Sequence, residues 1–313
     1  MRLESVRALK EQFAISQRRT VRAGFRPTFS LGAAPRGSED YLLAVHVQDH
    51  RLLRSSLLEE IREAANGEVD IRYVGRLIKR ANPRSRVRPL HMGLSVGHYA
   101  VTAGTIGVFV HRADSNQWYV LSNNHVLADE NGGQIGDVVI QPGSADGGGP
   151  DGDRIGVLAD YVKLDPSAPN RVDGALAAVD DRIQIEPTLL PGLGTVSGTV
   201  SSEQAAKIEQ VAKLGRTSGL TFGTVIGIEM DGIVVEFGIG LLRFDGLIAV
   251  RGTASRPFSQ GGDSGSLIVT ADDHRAFGLL FCGGDSGNGE TEDVTYANPI
   301  GDVLTQLQAK APW

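Results

Sequence analysis

Short runs of aliphatic and β-branched residues, each bounded by glycine or aspartate, recur from about residue 100 onward. They include 101–110, 118–121, 138–141, 155–158, 225–228 and 233–237. Runs of this length and spacing predict the antiparallel strands of a sandwich or barrel. The 40 glycines and only 6% aromatic residues also suit a turn-dense β protein. We therefore expect a mainly β fold, and 313 residues are enough for two or three structural units.

A serine on a glycine-rich turn stands directly before an apolar run. Ser264 belongs to Gln-Gly-Gly-Asp-Ser-Gly-Ser at residues 260–266, and Leu-Ile-Val follows. A serine hydroxyl is a weak nucleophile at neutral pH unless a neighbouring base takes its proton. His125, within Ser-Asn-Asn-His-Val-Leu, is the candidate base, because the other histidines lack such a context.

A buried carboxylate would have to orient this imidazole. Asp173 stands at the start of the apolar run 175–179, while Asp180 and Asp181 at its other end are alternatives. The sequence also holds a second Gly-Asp-Ser-Gly, at Ser286, but a polar loop follows it. The rigid strand after Ser264 favours that serine as the nucleophile.

The chain order His125, Asp173, Ser264 resembles that of the trypsin and chymotrypsin superfamily, whereas subtilisins and α/β-hydrolases use other orders. The resemblance extends over about residues 93–310. Segment 213–225 is similar to the opening of the second barrel in bacterial members, 276–284 to their substrate-binding strand, and 295–307 to their last strand and terminal helix. The sequence Leu-Ser-Asn-Asn-His-Val-Leu-Ala at 121–128 resembles that of the bacterial and plant narrow-leaf-type peptidases most.

This resemblance implies a fold of two antiparallel six-stranded-type β-barrels. The peptidase domain would span 89–310, with barrel one at about 93–190, barrel two at about 191–300 and a terminal helix at 301–310. The resemblance also implies peptide hydrolysis through an acyl-enzyme, with the active site at the junction of the barrels. The backbone N–H groups of Gly262 and Ser264 would form the oxyanion hole.

The resemblance also assigns substrate-binding and supporting residues. Phe258 and Ser259 would lie near the base of the pocket, and because neither is charged, we expect an uncharged side chain before the scissile bond. The extended substrate would pair with Cys282, Gly283 and Gly284 as an added strand. A buried Asp263 needs a cation. Lys213 is our first choice and Arg216 the second, and no chain cleavage would then be needed for activity.

The first 90 residues differ from the rest in charge. They carry 18 Lys and Arg against 10 Asp and Glu, a net of +8, while residues 91–313 carry 13 against 27, a net of −14. We predict a separate α+β unit over 1–88, in which a leading helix at 2–22 is followed by a strand at 41–47, a helix at 55–65, a strand at 69–78 and a linker at 79–89.

A basic surface can bind nucleic acid. However, the sequence has no zinc-ligand spacing, no P-loop and no aromatic-interleaved RNA motif, which argues against nucleic-acid binding. We expect instead that the basic unit docks on the acidic peptidase domain of its own chain or of a second copy, which would form a homo-oligomer.

We expect no cofactor and no metal ion. The triglycine at 147–149, with Asp146, Asp151 and Asp153 around it, lacks the ligand spacing of a helix-loop-helix calcium site. Cys282 is the single cysteine, so no internal disulfide can form, and the sequence shows neither a signal core nor a membrane-spanning run. These features predict a reduced, cytoplasmic location.

The sequence thus predicts a serine endopeptidase acting on protein or peptide substrates. Two alternatives remain open at this point. The barrels could be a catalytically silent binding scaffold. The chain could also be a regulatory or defence-type protein, in which the N-terminal unit senses a ligand and the peptidase is the output.

Overall fold

The computed structural model describes residues 1–21, 29–47, 50–73, 82–112, 115–253, 256–284 and 293–313, without the side chains of 14–21 and 50. The chain divides into two compact units, Met1–Lys79 and Arg80–Trp313. The charge pattern alone places the boundary after residue 88. No helix within the described ranges is both long and apolar enough to cross a membrane.

The N-terminal unit combines two helices with a small sheet. Its elements are α1 Leu3–Val21, β1 Phe29–Gly37, β2 Asp40–Val47, α2 Ser56–Ala64 and β3 Val69–Tyr73. Strand β2 is central, antiparallel to β1 and parallel to β3. Ser55 caps α2 by accepting a hydrogen bond from the backbone of Leu58, and Leu58 and Ile61 pack into the core of the unit. Strand β1 was not among the predicted elements, because its glycine, alanine and proline residues give no strand pattern. Of the predicted strand 69–78, residues 74–78 lie outside the described ranges.

Barrel one is an eight-stranded sheet that curves around a continuous apolar core. Its elements in chain order are β4 Ser95–His98, β5 Gly104–Thr105, β6 Val108–Arg112, β7 Tyr119–Ser122, α3 Asn124–Leu127, β8 Val138–Ile140, β9 Arg154–Tyr161 and β10 Ala175–Val179. A C-terminal strand, β21, completes the spatial order β21-β6-β7-β10-β9-β8-β4-β5. Most residues of these strands are buried, as the apolar runs predict, although β9 is buried only in part.

Barrel two is closed, with six strands in the order β13-β14-β17-β20-β19-β18. The connection from barrel one contains β11 Leu189–Leu190, β12 Gly194–Thr195 and α4 Ser202–Ala205. The strands that follow are β13 Gln210–Gly215, β14 Gly219–Met230, β15 Ile233–Phe237, β16 Gly240–Phe244, β17 Leu247–Gly252, β18 Leu267–Thr270, β19 Ala276–Gly283 and β20 Val294–Pro299. Strands β15 and β16 form a separate hairpin outside the barrel wall.

The C-terminal segment differs in part from the predicted helix over 301–310. Helix α5 spans Ile300–Gln306, and strand β21 at Ala309–Lys310 then pairs with β6. Gln308 has a left-handed φ of 49°, which ends the helix and turns the chain toward barrel one. Pairing with a distant strand is a tertiary effect that helical periodicity does not reveal.

The segment predicted as a linker, 79–89, is bound to barrel one over its described residues and is not a free linker there. Residues 82–89 are held against barrel one, where Val87 N donates to Gln141 Oε1 over 3.1 Å and Gln141 Nε2 donates to Ser85 O over 2.9 Å. Ser95 N donates to Pro83 O over 2.9 Å. Since Gln141 is fully buried, this segment supplies hydrogen-bond partners that the barrel needs.

Candidate active site

His125 and Asp173 form a close hydrogen-bonded pair in barrel one. His125 Nδ1 lies 2.5 Å from Asp173 Oδ2, and the Asp173 side chain is fully buried. The other carboxylate oxygen, Oδ1, accepts the backbone N–H groups of Asn124 and His125, at 2.6 and 3.3 Å. These N–H groups open the short helix α3 and have no partner within it. One carboxylate therefore both orients the imidazole and holds the helix that carries it.

The backbone of Asp173 is fixed from two sides. Asn298 Oδ1 accepts the N–H of Asp173 at 3.1 Å, and Asn123 Nδ2 donates to its carbonyl oxygen at 2.8 Å. All three residues are fully buried. Asp180, at the far end of β10, instead accepts two hydrogen bonds from Arg154. Of the three candidate carboxylates, Asp173 is the one beside His125.

Ser264 lies across the barrel junction and lines the same cavity as His125. This cavity has a volume of about 300 Å³. The Ser264 hydroxyl is 3.4 Å from the carbonyl oxygen of Phe281, and among the described hydrogen bonds none joins it to His125. Its backbone is rigid, because Gly265 N donates to Leu280 O at 2.8 Å and Leu280 N donates to Ser266 O at 3.0 Å. Ser286, the rival serine, lies outside the described residues.

The environment of His125 favours its protonated form. Burial alone would lower the pKa of the imidazole, but the charge and hydrogen bond of Asp173 and the charge of Glu130 outweigh this effect. The pKa of His125 is therefore raised above its ordinary value. Such an imidazole is well suited to hold a proton taken from a nucleophile.

Gly262, the first predicted oxyanion donor, has a left-handed backbone. Its φ is 91°, a conformation that side chains other than glycine rarely adopt. Ser264, the second predicted donor, is two residues away on the same turn. Neither backbone N–H donates a hydrogen bond to any described residue. Both groups therefore remain available to an incoming oxygen.

Asp263 and Lys213 form an ion pair behind this turn. Lys213 Nζ lies 3.0 Å from Asp263 Oδ2, and both side chains are fully buried. Ser218 Oγ donates to the same oxygen at 2.5 Å, and the backbone of Thr217 and Ser218 donates to Oδ1. Burial would raise the pKa of Asp263, but the Lys213 charge and these hydrogen bonds lower it below the usual range. Arg216, the second choice for this pairing, binds Asp146 instead.

The cavity wall contains most of the predicted substrate-binding residues. Ser259, Cys282, Gly283 and Gly284 line it. Strand β19 pairs with β18 as far as Leu279, and Leu280 then exchanges hydrogen bonds with Gly265 and Ser266, while the other edge of β19 pairs with β20 up to Gly283. Beyond Leu280, the edge of β19 that faces away from β20 has no strand partner among the described residues, as an added strand would require.

The prediction for Phe258 needs correction. Its side chain is fully buried in the core of barrel two and does not line the cavity. Its ring instead lies under the Lys213 ammonium, 5.8 Å from Nζ to the ring centroid. A large apolar side chain is more stable in this core than at the water-filled cleft. Phe258 therefore supports the Lys213 and Asp263 pair from below.

Cys282 lines the same cavity as Ser264. Burial, aided by the negative charge of Asp173, raises the pKa of its thiol to about 12. The reactive thiolate is therefore almost absent at neutral pH.

The β15–β16 hairpin supplies cavity residues that the sequence did not reveal. Val235 and Phe237 line the cavity, and the Phe237 ring meets the His125 ring edge-on with centroids 5.9 Å apart. Glu130 also lines it and accepts the backbone N–H of Ile239 at 3.3 Å. None of these residues belongs to a local motif, and only tertiary packing brings Val235 and Phe237 of the hairpin to the cleft.

No metal site is apparent in the described part of the chain, where His, Cys, Asp and Glu side chains nowhere gather in groups of three. In the predicted acidic loop, Asp146 is paired with Arg216 and Asp153 with Arg86. Arginine partners thus neutralise the charge of these two carboxylates.

Comparisons with known proteins agree with this architecture. The family model described as the Nal1 C-terminal domain matches residues 156–299, a range that includes Asp173 and Ser264 but not His125. No curated protein matches the chain. Among solved structures, a glutamic acid-specific serine protease is 16% identical and has a TM-score of 0.50, over 71% of this chain and 100% of its own.

Two further bacterial structures are similar. Protease A of Thermobifida fusca is 19% identical with a TM-score of 0.48, and covers 71% of this chain and 98% of its own. The Nocardiopsis protease is 19% identical with a TM-score of 0.49, over 71% and 99%. At such identities the likeness concerns the fold. The chain has the predicted chymotrypsin-like double β-barrel fold.

Proposed function

We propose that this chymotrypsin-like double barrel is a serine endopeptidase that cleaves protein or peptide substrates. The observation that carries the proposal is the His125–Asp173 hydrogen bond of 2.5 Å, made by a fully buried carboxylate beside the cavity that Ser264 also lines. A histidine oriented in this way, next to a serine on a rigid turn, is the arrangement that activates a hydroxyl for acyl transfer.

In the proposed reaction, Ser264 Oγ attacks the substrate carbonyl while His125 Nε2 takes its proton. Asp173 keeps the other ring nitrogen protonated and stabilises the imidazolium. The oxyanion that forms accepts hydrogen bonds from the N–H groups of Gly262 and Ser264. His125 then gives its proton to the leaving amine, and water hydrolyses the acyl-enzyme by the reverse roles.

The substrate backbone would be bound as an additional strand along Cys282, Gly283 and Gly284. The unpaired edge of β19 supports this, because extended peptides add to open sheet edges through main-chain hydrogen bonds. Ser259 and Gln260, the cavity residues that directly precede the glycines of the turn, are uncharged and support an uncharged residue before the scissile bond. The acidic cavity residues Glu130 and Glu236 lie on other segments of the wall.

A fluorophosphonate label followed by peptide mapping tests the proposal. The wild-type chain should be labelled at Ser264, and Ser264→Ala should lose both labelling and peptide hydrolysis. Ser286→Ala is the matched control from the second Gly-Asp-Ser-Gly and should keep most of the activity. Labelling at Ser286 would show that Ser286, and not Ser264, is the nucleophile. Absence of labelling in the folded wild-type chain would instead favour the silent scaffold.

A further inference from the structure

A bidentate ion pair joins the two barrels close to the glycine-rich turn of residues 260–266. We call this segment the oxyanion turn, because it carries the backbone N–H groups of Gly262 and Ser264. Arg216, in the turn between β13 and β14, donates from Nε and Nη2 to the two carboxylate oxygens of Asp146 in barrel one, both at 2.6 Å. The side chains are only 11% and 5% exposed. A desolvated pair with this fork geometry holds both partners in one orientation.

Barrel one fixes the carboxylate in place. Ser95 Oγ donates to Asp146 Oδ2 at 2.6 Å, and Arg84 Nε lies 4.0 Å from Oδ1. Although burial alone would raise the pKa of Asp146, the hydrogen bonds from Arg216 and Ser95 lower it. The carboxylate therefore stays charged and holds the Arg216 guanidinium in one position.

Two hydrogen bonds in series connect the Arg216 guanidinium to the oxyanion turn. Arg216 Nη1 donates to Thr217 Oγ1 at 3.1 Å, and that hydroxyl donates to the carbonyl oxygen of Gly261 at 2.8 Å. The Gly261 carbonyl and the Gly262 N–H belong to one planar peptide unit and point in opposite directions. Fixing the carbonyl therefore fixes the direction of the N–H.

A second contact holds the other side of Gly262. Arg216 N donates to Thr105 Oγ1 at 3.2 Å, and this hydroxyl donates to the carbonyl oxygen of Gly262 at 3.0 Å. A side chain at position 262 would also collide with the Arg216 guanidinium. Residue 262 is thus confined by contacts from both barrels.

We propose that Asp146, Arg216 and Thr217 form a hydrogen-bond relay that aims the Gly262 N–H into the oxyanion hole. They are positioning residues, since they touch neither the nucleophile nor the reacting carbonyl. The inference rests on the proposed peptidase function for its catalytic consequence. It differs from the Lys213–Asp263 pair, which supports the turn from behind and not through the Gly261 carbonyl.

The kinetic test uses Thr217→Val, which keeps the shape of the side chain but removes the relay hydroxyl. We expect kcat to fall on the order of 10²-fold with little change in KM, because a misdirected donor loses transition-state stabilisation. Asp146→Asn should reduce kcat in the same sense. Thr217→Ser, which keeps the hydroxyl, should retain most of the wild-type activity.

Asp180→Asn is the matched control, since it weakens the Arg154–Asp180 pair of barrel one, which has similar geometry but no described link to the turn. It should leave kcat unchanged. If Thr217→Val and Asp146→Asn both keep kcat within twofold of wild type, the relay is wrong.

Hydrogen exchange separates this inference from the peptidase proposal. In the full chain, the peptide 259–266 should exchange faster in Thr217→Val and Asp146→Asn than in wild type, and at the wild-type rate in Thr217→Ser and Asp180→Asn. This result would support the relay even if the wild-type chain hydrolysed no peptide, in which case the peptidase proposal alone would fail. Unchanged exchange in Thr217→Val would overturn the relay whatever the activity.

Discussion

At the scale of single residues, the candidate site depends on two carboxylates that each bind a side-chain partner and backbone N–H groups at the same time. Asp173 binds the His125 ring and also the N–H groups that open its helix. Asp263 binds Lys213 and also the backbone of Thr217 and Ser218. Because both side chains are fully buried, every missing partner leaves a charge or a donor unsatisfied. The effects of replacing them should therefore be large and separable.

Asp173→Asn should lower kcat by about 10⁴, the magnitude known for a serine protease triad whose histidine is left in the wrong tautomer. The amide nearly matches the carboxylate in shape, so the fold should persist, and thermal unfolding measures this. Asp180→Asn is the control and should leave kcat unchanged. A loss of less than tenfold for Asp173→Asn would assign the role to another carboxylate.

The pH dependence should reflect the raised pKa of His125. The imidazole accepts a proton from Ser264 only when it is neutral, so kcat/KM should fall as the pH drops through this pKa. Because the pKa is raised, the midpoint should lie above the ordinary value of about 6.5. Glu130→Gln removes one of the charges that raise it and should move the midpoint to lower pH.

Glu203→Gln, on the exposed helix α4, is the control for this profile and should leave the midpoint in place. A wild-type midpoint at or below 6.5, or an upward shift in Glu130→Gln, would contradict the assignment of His125 as the base.

Lys213→Met should leave the Asp263 carboxylate buried without its cation. Breaking such a pair costs about 3–5 kcal/mol of the free energy of unfolding, which urea denaturation can measure. Phosphonate labelling of Ser264 should fall as well, because Asp263 is the neighbour that holds the oxyanion turn. Lys207→Met on the surface is the control. A Lys213→Met chain with wild-type stability would show that Asp263 does not depend on this partner.

At the scale of elements, sequence reasoning succeeded where the signal is local. The nucleophile turn, the histidine and the start of β10 each carry a short pattern, and the structure brings His125 and Asp173 into contact and Ser264 to the same cavity. It missed β1, whose glycine, alanine and proline residues give no strand pattern although it forms a hairpin with β2, and β21, which exists because the distant strand β6 pairs with it. It also missed Phe237, which reaches the cleft through the packing of the β15–β16 hairpin, and Glu130, which follows α3 and carries no motif.

The open edge of β19 permits a prediction about substrate binding. A Cβ at position 283 would lie 3.4 Å from both Ser259 Oγ and Val294 O, so the branches of a valine would have to occupy the path of the added strand. Gly283→Val should therefore lower kcat/KM for extended peptides roughly tenfold or more, by comparison with other pocket obstructions.

A small acetate ester, which needs no strand pairing, should still be hydrolysed by Gly283→Val at close to the wild-type rate. Gly152→Val, in a turn with open space around its α-carbon, is the control substitution and should affect neither substrate. An equal loss toward the peptide and the ester would indicate damage to the barrel and would contradict the proposed strand pairing.

At the scale of the whole molecule, the chain consists of two units, each with an apolar core of its own. The first 90 residues are basic and the rest are acidic. Docking of the N-terminal unit on the acidic unit, either of the same chain or of a second copy, therefore stays a prediction. The exact boundary between the two units matters for the stability of barrel one, because residues 82–89 bind to it through Gln141 and Ser95.

These contacts lead to a prediction about activation. The Lys213–Asp263 pair forms within the peptidase unit, so the full-length chain should be active without cleavage. A chain of residues 80–313 should keep this activity, because it retains every barrel contact of residues 82–89. A chain of residues 90–313 should be less stable, since the buried Gln141 side chain loses its partners at Val87 and Ser85, at about 1–3 kcal/mol for each unsatisfied group. Thermal unfolding and phosphonate labelling of the three chains, at equal concentration, measure both effects. If only the 90–313 chain were labelled, the N-terminal region would be an inhibitory propeptide, and activation by cleavage would replace the internal lysine.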